Sequence, residues 1–520
     1  MADEIIKNND NIVEGHNKWL LIIPTMLAAF LFALDETIAN IALPHIAGSF
    51  SVSSQESIWI LTSYLIASCL TIPMIDWLSR LLGRKNMFIG MVLLFTLSSL
   101  MCGLSTSMTM MVVGRFLQGL GGGVLIPIAQ AIVMESFKGK ELSIAIMLFG
   151  LVVIIAPIIG PVLGGYITEN YSWHWIFFIN VPIGAIIALM AKSMIYDPPY
   201  ARRQKNVKTD YWGLLFLFMF AVCFEITMDK GNDLDWFGSP VIRKLTVIWV
   251  IGLIGFIISQ IKGKETLVRL NVLKDWNLAT GTIALTVMNA VLLGSLAMVP
   301  QFMQIMMGYD AFTSGLSMMP RGLGCLAGLI IAQRLQDKAD ARIVASVGIF
   351  VLAIGSWMLG DINLQISQSS IAIPNVLFGL GMALAMVPLI PFSCKMIKAE
   401  EMSNASGLQN FIKTIGGAVG TSLVATFVSR FSQMHQNMMT YTLTGTNDNF
   451  LVRLQAYTAN FMQYTDSSTA SYMGQKLIYN QLLQQSRLWA YIDSFRIYAV
   501  ACIFIIILIF IMKKDKMKNK

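Results

Sequence analysis

The sequence predicts an all-α integral membrane protein that crosses the bilayer fourteen times, with both ends in the cytoplasm. Three observations carry that prediction. The first is composition: the 520 residues are 56% apolar and 13% charged, with a mean hydropathy of +0.66. A soluble chain is about 25% charged, so a string of soluble domains, a disordered chain and a coiled coil are excluded. The second is the recurrence of apolar runs of spanning length, roughly 20 residues. They fall at 19–43, 57–76, 86–104, 107–134, 142–167, 173–191, 210–229, 243–262, 278–303, 312–334, 341–360, 369–393, 404–430 and 495–513. The third is charge. With both ends inside, 26 of the 37 Lys and Arg residues lie in cytoplasmic segments and eight outside, as the positive-inside rule requires. The other three, Arg115, Arg321 and Lys413, lie within runs. An odd number of spans would put the lysine-rich tail outside. The net charge of +8 is therefore a topology signal and needs no nucleic-acid partner.

The elements follow in order. Residues 1–18 form a polar cytoplasmic tail. No short apolar segment with a small-residue cleavage site follows, so 19–44 reads as a retained first helix and not a signal peptide. Six runs make a first bundle over 19–200. A basic linker and two inserted helices occupy 201–275. Six more runs make a second bundle over 276–512, and 513–520 is a basic cytoplasmic tail. Two groups of six around an insert suggest duplicated halves about a central cavity. The inserted run 210–229 has the weakest apolar signal, since it carries Glu225 and ends in Asp229. Residues 431–493 lie outside the membrane on the far side and are too long for a simple connection. Within them Phe450, Leu454, Tyr457, Phe461 and Tyr464 recur on one face of a helix, and 473–491 reads as a second helix. The stripe either packs on the rest of the chain or serves as a docking surface.

Several side chains carry chemistry. Asp35 lies about 24 Å along the first helix from Trp19, well inside the apolar layer. A carboxylate there is costly and is kept where it faces a cavity or binds something. It can take up and carry a proton, or attract a cation when ionised; the alternative is a structural hydrogen bond to a neighbouring helix. Glu36 points about 100° away around the helix, so it meets different neighbours. Arg115 in the fourth run needs an acidic or carbonyl partner, and Gly119 and Gly123 after it have the spacing of a close helix contact. In the fifth run Pro157 and Pro161 each remove a backbone bond, while Gly160, Gly164 and Gly165 flatten one face. Such a helix bends and slides. The turn at 76–85 holds Asp76, Arg80, Gly83 and Arg84, whose charges either lock the cytoplasmic side by ion pairs or only set topology. Thr37, Asn40, Asn289, Gln301, Gln304 and Asn410 are polar and sit inside apolar runs, which makes them candidate cavity residues. The 34 methionines offer a soft lining. Six cysteines in no CxxC pairing read as small buried hydrophobes. Four scattered histidines make no metal site, and HExxH, GxSxG and P-loop signatures are absent, so no enzyme is indicated.

These motifs together resemble the fourteen-helix drug/proton antiporters of the major facilitator superfamily, the EmrB/QacA type. LDETIANIALP at 34–44 is similar to that family's first-helix signature. The Arg115 segment resembles its fourth-helix motif, and 157–165 its antiporter motif. SWHWIFFINVPIG at 172–184 is similar to its sixth-helix entry. Further matches are Asp235-Trp236-Phe237, Pro300-Gln301-Phe302-Met303-Gln304 and ASGLQN at 405–410, so the resemblance covers nearly the whole chain. Three departures stand out. Asp76 and Arg80 occupy places where the family's turn has Gly and Asp, His174 stands where Arg is usual, and Ala156 stands where the antiporter motif has Gly. The resemblance implies a proton-coupled multidrug exporter of amphipathic, often cationic, small molecules in the bacterial inner membrane. It would work by alternating access, driven by the proton gradient with no cofactor. Asp35, with Arg115 and Glu36, would couple to protons. The resemblance also implies a periplasmic adaptor and outer-membrane channel of the EmrA/TolC type as partners of 431–493. An exporter of one dedicated metabolite, such as a siderophore or lipid-like molecule, and a non-transporting scaffold or receptor remain alternatives.

Overall fold

A computed structural model describes residues 18–137, 139–197, 201–204, 207–263, 266–336, 339–444 and 447–513. The tails expected at 1–18 and 513–520 lie outside the described residues, apart from 18 and 513. No strand occurs among the described residues. The first group of helices is α1 (Lys18–Phe50), α2 (Trp59–Leu82), α3 (Arg84–Gly103), α4 (Met108–Ser136), α5 (Gly139–Asn170) and α6 (Trp175–Met194). An inserted pair follows, α7 (Tyr211–Lys230) and α8 (Pro240–Lys262). The second group is α9 (Trp276–Met307), α10 (Phe312–Leu335), α11 (Ala341–Leu359), α12 (Ser369–Cys394), α13 (Met402–Thr440), α14 (Asp448–Phe461) and α15 (Ser467–Ile511). Thirteen of these are long and apolar enough to cross a membrane. α5 adds a fourteenth span as a pair, Ile144–Pro157 and Val162–Asn170, bent by 41°. The bend falls where Pro157 and Pro161 interrupt the backbone ladder.

Short polar residues start several helices by taking orphan backbone donors. Ser53 and Glu56 form a reciprocal capping box before α2, and those bonds hold the Glu56 carboxyl below its usual pKa. Ser107 caps α4, Asp210 caps α7 and Asp275 caps α9.

α1 packs on α4, α5 and α6, while α2 and α3 close on α4. In the second group α12 lies between α10 and α11, and α9, α13 and α15 pack together. The two groups meet along α5 against α10 and along α4 against α13. The inserted pair flanks this seam, with α7 touching both α2 and α13. One side of α8 is left open, where Ile251, Ile254, Ile258 and Ile261 are exposed at helical spacing and form a lipid face.

Trp276 donates to the Ile511 carbonyl at 3.0 Å, Arg342 to that of Met512 at 3.0 Å, and the Gln204 amide to that of Arg80 at 2.9 Å. The chain's C-terminal end, the linker and the α2–α3 turn thus share one face, here the tail face. The opposite end is the hairpin face. α13 and α15 run 39 and 45 residues, about 58 and 68 Å, roughly twice a 30 Å hydrocarbon layer. The runs ending at 430 and starting at 495 are therefore only the membrane portions of two longer helices, which form a stalk. α14 lies across it. Phe450, Leu454, Tyr457 and Phe461 are half-buried against α15, and Gln481 donates to the Tyr457 hydroxyl at 3.1 Å. Most of the stripe packs on its own chain. Tyr464 is the exception: it lies past the helix end and is 86% exposed.

Candidate functional site

Asp35 on α1 is fully buried, and its carboxylate is the hub of a network that reaches α2, α3, α4 and α6. Arg115 Nη1 donates to Asp35 Oδ2 at 2.5 Å and to Gln118 Oε1 at 2.9 Å. Its Nε donates to the Ile60 carbonyl at 3.1 Å. Asp35 Oδ1 accepts from Gln118 Nε2 at 2.9 Å and from Asn180 Nδ2 at 2.8 Å. Both amides also donate to Ser99 Oγ, at 3.1 and 3.0 Å, and Ser99 donates on to the Phe177 carbonyl at 2.9 Å. The Arg115 guanidinium lies 4.1 Å from the Tyr64 ring centre, a cation–π contact. Its Nη2 is buried without a hydrogen-bond partner among the described residues.

Two glycine seams make this convergence possible. A Cβ on Gly119 would stand 2.3 Å from the Tyr64 carbonyl, and one on Gly123 2.8 Å from that of Ser68. α4 can thus press its backbone on α2 and bring Arg115 under Tyr64. On the other flank of α1, a Cβ on Gly160 would meet Thr37 Oγ1 at 2.1 Å, and one on Gly164 would meet Ile38. The smooth face of α5 therefore bears on the turn of α1 that follows Asp35. Gly165 is looser, with its nearest neighbour at 3.9 Å. Pro157 borders α9, α10 and α12; the side chain of Pro161 lies outside the described residues.

Glu36 leaves the hub, as its position around the helix requires. It is half-buried and within electrostatic reach of Lys413 on α13, across the seam between the groups. Asn289 donates to the Lys413 carbonyl at 3.0 Å. Asn40, Gln301 and Gln304 are exposed, while the half-buried Thr37 is turned onto α5 and bonds its own helix backbone. Asn410 lies where the two groups meet. It is buried and donates to Gln130 Oε1 at 2.7 Å, so it joins the two groups. α13 packs on α4.

The tail face is sealed by polar contacts. Asp76 pairs with Arg80 at 3.1 Å and with Arg269 of the linker region at 3.3 Å. Arg84 forks onto Glu135, with its Nη2 3.0 Å from Oε1, and donates to Ser403 at 3.1 Å. Gly83 takes φ +82°, and Lys85 N donates to Asp197 at 2.7 Å. Gln130 donates to Gln409 at 2.8 Å, and Ser406 to the Pro127 carbonyl at 3.0 Å. The turn's charges are thus engaged in ion pairs, beyond setting topology.

A buried ion pair within six helices, a glycine-faced bent helix beside it and a second six-helix group across a seam define a class of architecture. The family model described as Major Facilitator Superfamily matches residues 25–421. The chain belongs to the Major Facilitator Superfamily. Within the superfamily, the probable multidrug resistance protein EmrY of Escherichia coli (strain K12) is 32% identical over 510 residues, 98% of each chain. Multidrug export protein EmrB of the same strain is 32% identical over 438 residues, 84% of this chain and 85% of its own. Among solved structures, the human organic anion transporter MFSD10 superposes with a TM-score of 0.61 at 11% identity. The match covers 95% of this chain and 99% of that one, and it shows the shared fold.

Sequence reasoning missed several members of the Asp35 network and of the tail-face contacts. Gln118 and Asn180 stand in segments that resemble family motifs, and their polarity inside apolar runs was the available signal. Tyr64 and Ser99 also stand inside runs and Glu135 follows one, but the role of each depends on which helices become neighbours.

Proposed function

We propose that this chain is a proton-coupled multidrug exporter of a bacterial inner membrane, working by alternating access. The observation that carries the reading is the Asp35 hub. It is the one fully buried acid among the described residues with an arginine at 2.5 Å, and α5, the bent helix at the seam, bears on the same stretch of α1. When ionised, Asp35 satisfies Arg115, Gln118 and Asn180 and ties five helices together. A proton on Asp35 removes the charge that holds Arg115 and loosens the bundle around α1. Proton uptake and release are thereby linked to how α1 sits against α5. Relatives named multidrug export and resistance proteins, aligned over most of this chain, support the cargo class. The positive-inside count supports a cytoplasmic tail face, and the bonds that join the two groups there support reading this form as closed to the cytoplasm. Glu36, with Lys413 opposite, and the exposed Asn40, Gln301 and Gln304 are the cargo contacts we propose, with the Asp76, Arg80, Arg84 and Glu135 pairs as the cytoplasmic gate.

The deciding experiment is substrate-driven proton movement in proteoliposomes containing a pH dye, using a lipophilic cation as substrate. Wild type moves protons on addition of the cation; Asp35→Asn binds it and moves none. Undiminished coupling in the variant overturns the role of Asp35, and no movement in wild type overturns the exporter reading.

The stalk supports a further element of the proposal, docking of an extracytoplasmic adaptor of the EmrA/TolC type. Its tip leaves Tyr441, Tyr464 and Tyr472 more than half exposed, a density of aromatics common at interfaces. Removal of 444–473 is expected to abolish export to the medium and to spare transport in proteoliposomes. Loss of both would assign the segment to folding.

A further inference from the structure

Glu225 on α7 is a buried acid outside the Asp35 network. It continues the row of Leu217 and Ala221 on the buried face of its helix and is 6% exposed. α7 ends five residues later at Lys230, about 8 Å along the axis, so the carboxyl lies inside the apolar layer near the hairpin face. Asp35 accepts from Arg115, Gln118 and Asn180. Glu225, in contrast, has no hydrogen bond and no ion pair among the described residues. The charged groups within electrostatic reach of it are Asp229 and Glu36, both acids. Of the helices packed on α7, α2 brings the Cys69 thiol within reach, and α8 sets the Trp249 ring against the adjacent Phe224. Lys413 of α13 answers Glu36. A carboxylate with no donor and no cation is costly in an apolar layer, and two nearby acids add repulsion. A proton removes both costs.

The neighbours also offer that proton a route. Asp229 follows Glu225 by one turn on the same face of α7. It is exposed at the hairpin end of the helix and accepts from Thr62 at 2.8 Å. Asp233, within reach of Asp229, is exposed in the turn beyond. On the inner side, Glu36 is within reach of Glu225 and of the Asp35–Arg115 pair. Carboxyls thus lead from the hairpin face to the seam, with Glu225 as the buried step between solvent and Glu36.

From this arrangement we infer that Glu225 is a second proton-binding group, which takes a proton from solvent at the hairpin face past Asp229 and gives it up toward Glu36, so that each cycle carries this proton besides that of Asp35. Its part in the cycle rests on the exporter reading; its holding a proton does not.

The first test is the infrared difference between wild type and Glu225→Gln, as purified full chains in detergent near neutral pH. A protonated carboxyl and a carboxylate absorb in separate regions. The variant is expected to lose one protonated-carboxyl band, and that band should shift in heavy water. Loss of carboxylate bands instead overturns the inference. If Glu225→Gln does not fold, labelling of wild type with dicyclohexylcarbodiimide, an apolar reagent for protonated carboxyls, decides by peptide mass spectrometry. An adduct on Glu225 is expected, and its absence overturns the inference. Asp229→Asn should slow the heavy-water shift of the Glu225 band at least tenfold; an unchanged rate overturns the route past Asp229. The second test counts protons per cation in proteoliposomes. Asp35 remains the group on which the cycle turns, so Asp35→Asn stops all movement, whereas Glu225→Gln should move half as many protons per cation as wild type. An unchanged count overturns the part of Glu225 in the cycle. Absence of proton movement in wild type overturns the exporter reading and leaves the infrared result standing.

Discussion

Asp35 and Arg115 hold each other at the cost of two desolvated charges, and their removal is not symmetric. Asp35→Asn leaves a permanent cation with the Ile60 carbonyl, Gln118 and the Tyr64 ring but no counter-charge. Arg115→Gln leaves a carboxyl that can neutralise itself by taking a proton, an escape a guanidinium lacks. Removing one member of a buried pair costs about 3–5 kcal/mol when the other stays charged. The expected order of thermal stability in detergent is therefore wild type, then Arg115→Gln, then Asp35→Asn, with the double variant recovering most of the loss. An Asp35→Asn variant that melts with wild type would show that the pair contributes nothing to stability. Asp35 and Arg115 were legible in the sequence because an ionisable residue inside an apolar run stands out whatever it touches. Asn410 was legible as polar but not as a bridge, because its neighbour Gln130 lies 280 residues away in the chain.

At the scale of the element, the helices were legible where lipid contact forces apolar side chains and not beyond. The fourteen runs match fourteen spans. The stalk was only half visible, because outside the membrane α15 continues through polar residues such as Gln481, Gln484 and Arg487, where hydropathy carries no information. The close helix contacts were written in glycines, and these are directly testable. Gly119→Leu places a branched side chain where even a Cβ stands 2.3 Å from the Tyr64 carbonyl. The α2–α4 contact has to open, and overpacking of this kind costs about 1–3 kcal/mol or more. The same change at Gly90, where a Cβ meets nothing within 4 Å, is the matched control. Gly119→Leu is expected to lower yield and melting temperature markedly, and Gly90→Leu to leave both near wild type. Comparable losses in the two would show that added side-chain bulk, and not contact geometry, sets the effect.

For the whole molecule, the question is what two six-helix groups must break to rock. At the tail face they are joined by Gln130–Gln409, Asn410–Gln130, Arg84–Ser403 and the Ser406 bond to the Pro127 carbonyl. These bonds are neutral or charge-to-neutral, so each contributes on the order of 1 kcal/mol net and can be exchanged for water as the face opens. The inserted pair adds a second kind of joint. α7 is fastened to the second group by Ser422 donating to the Met228 carbonyl at 2.7 Å, and Trp236 of the α7–α8 turn donates to Thr426 at 3.1 Å. To the first group it is held by Thr62 donating to Asp229 at 2.8 Å. The pair therefore bridges the two groups and has to release one of them as they part. If opening the tail face is obligatory in the cycle, tying Gln130 to Gln409 must stop it. A Gln130→Cys, Gln409→Cys variant in a background lacking the six native cysteines, joined by a short cleavable bismaleimide, is expected to lose substrate-driven proton movement. Cleavage of the linker should restore it. Full activity in the joined state would show that these helices need not separate, and would refute a cycle in which the groups part at α4 and α13.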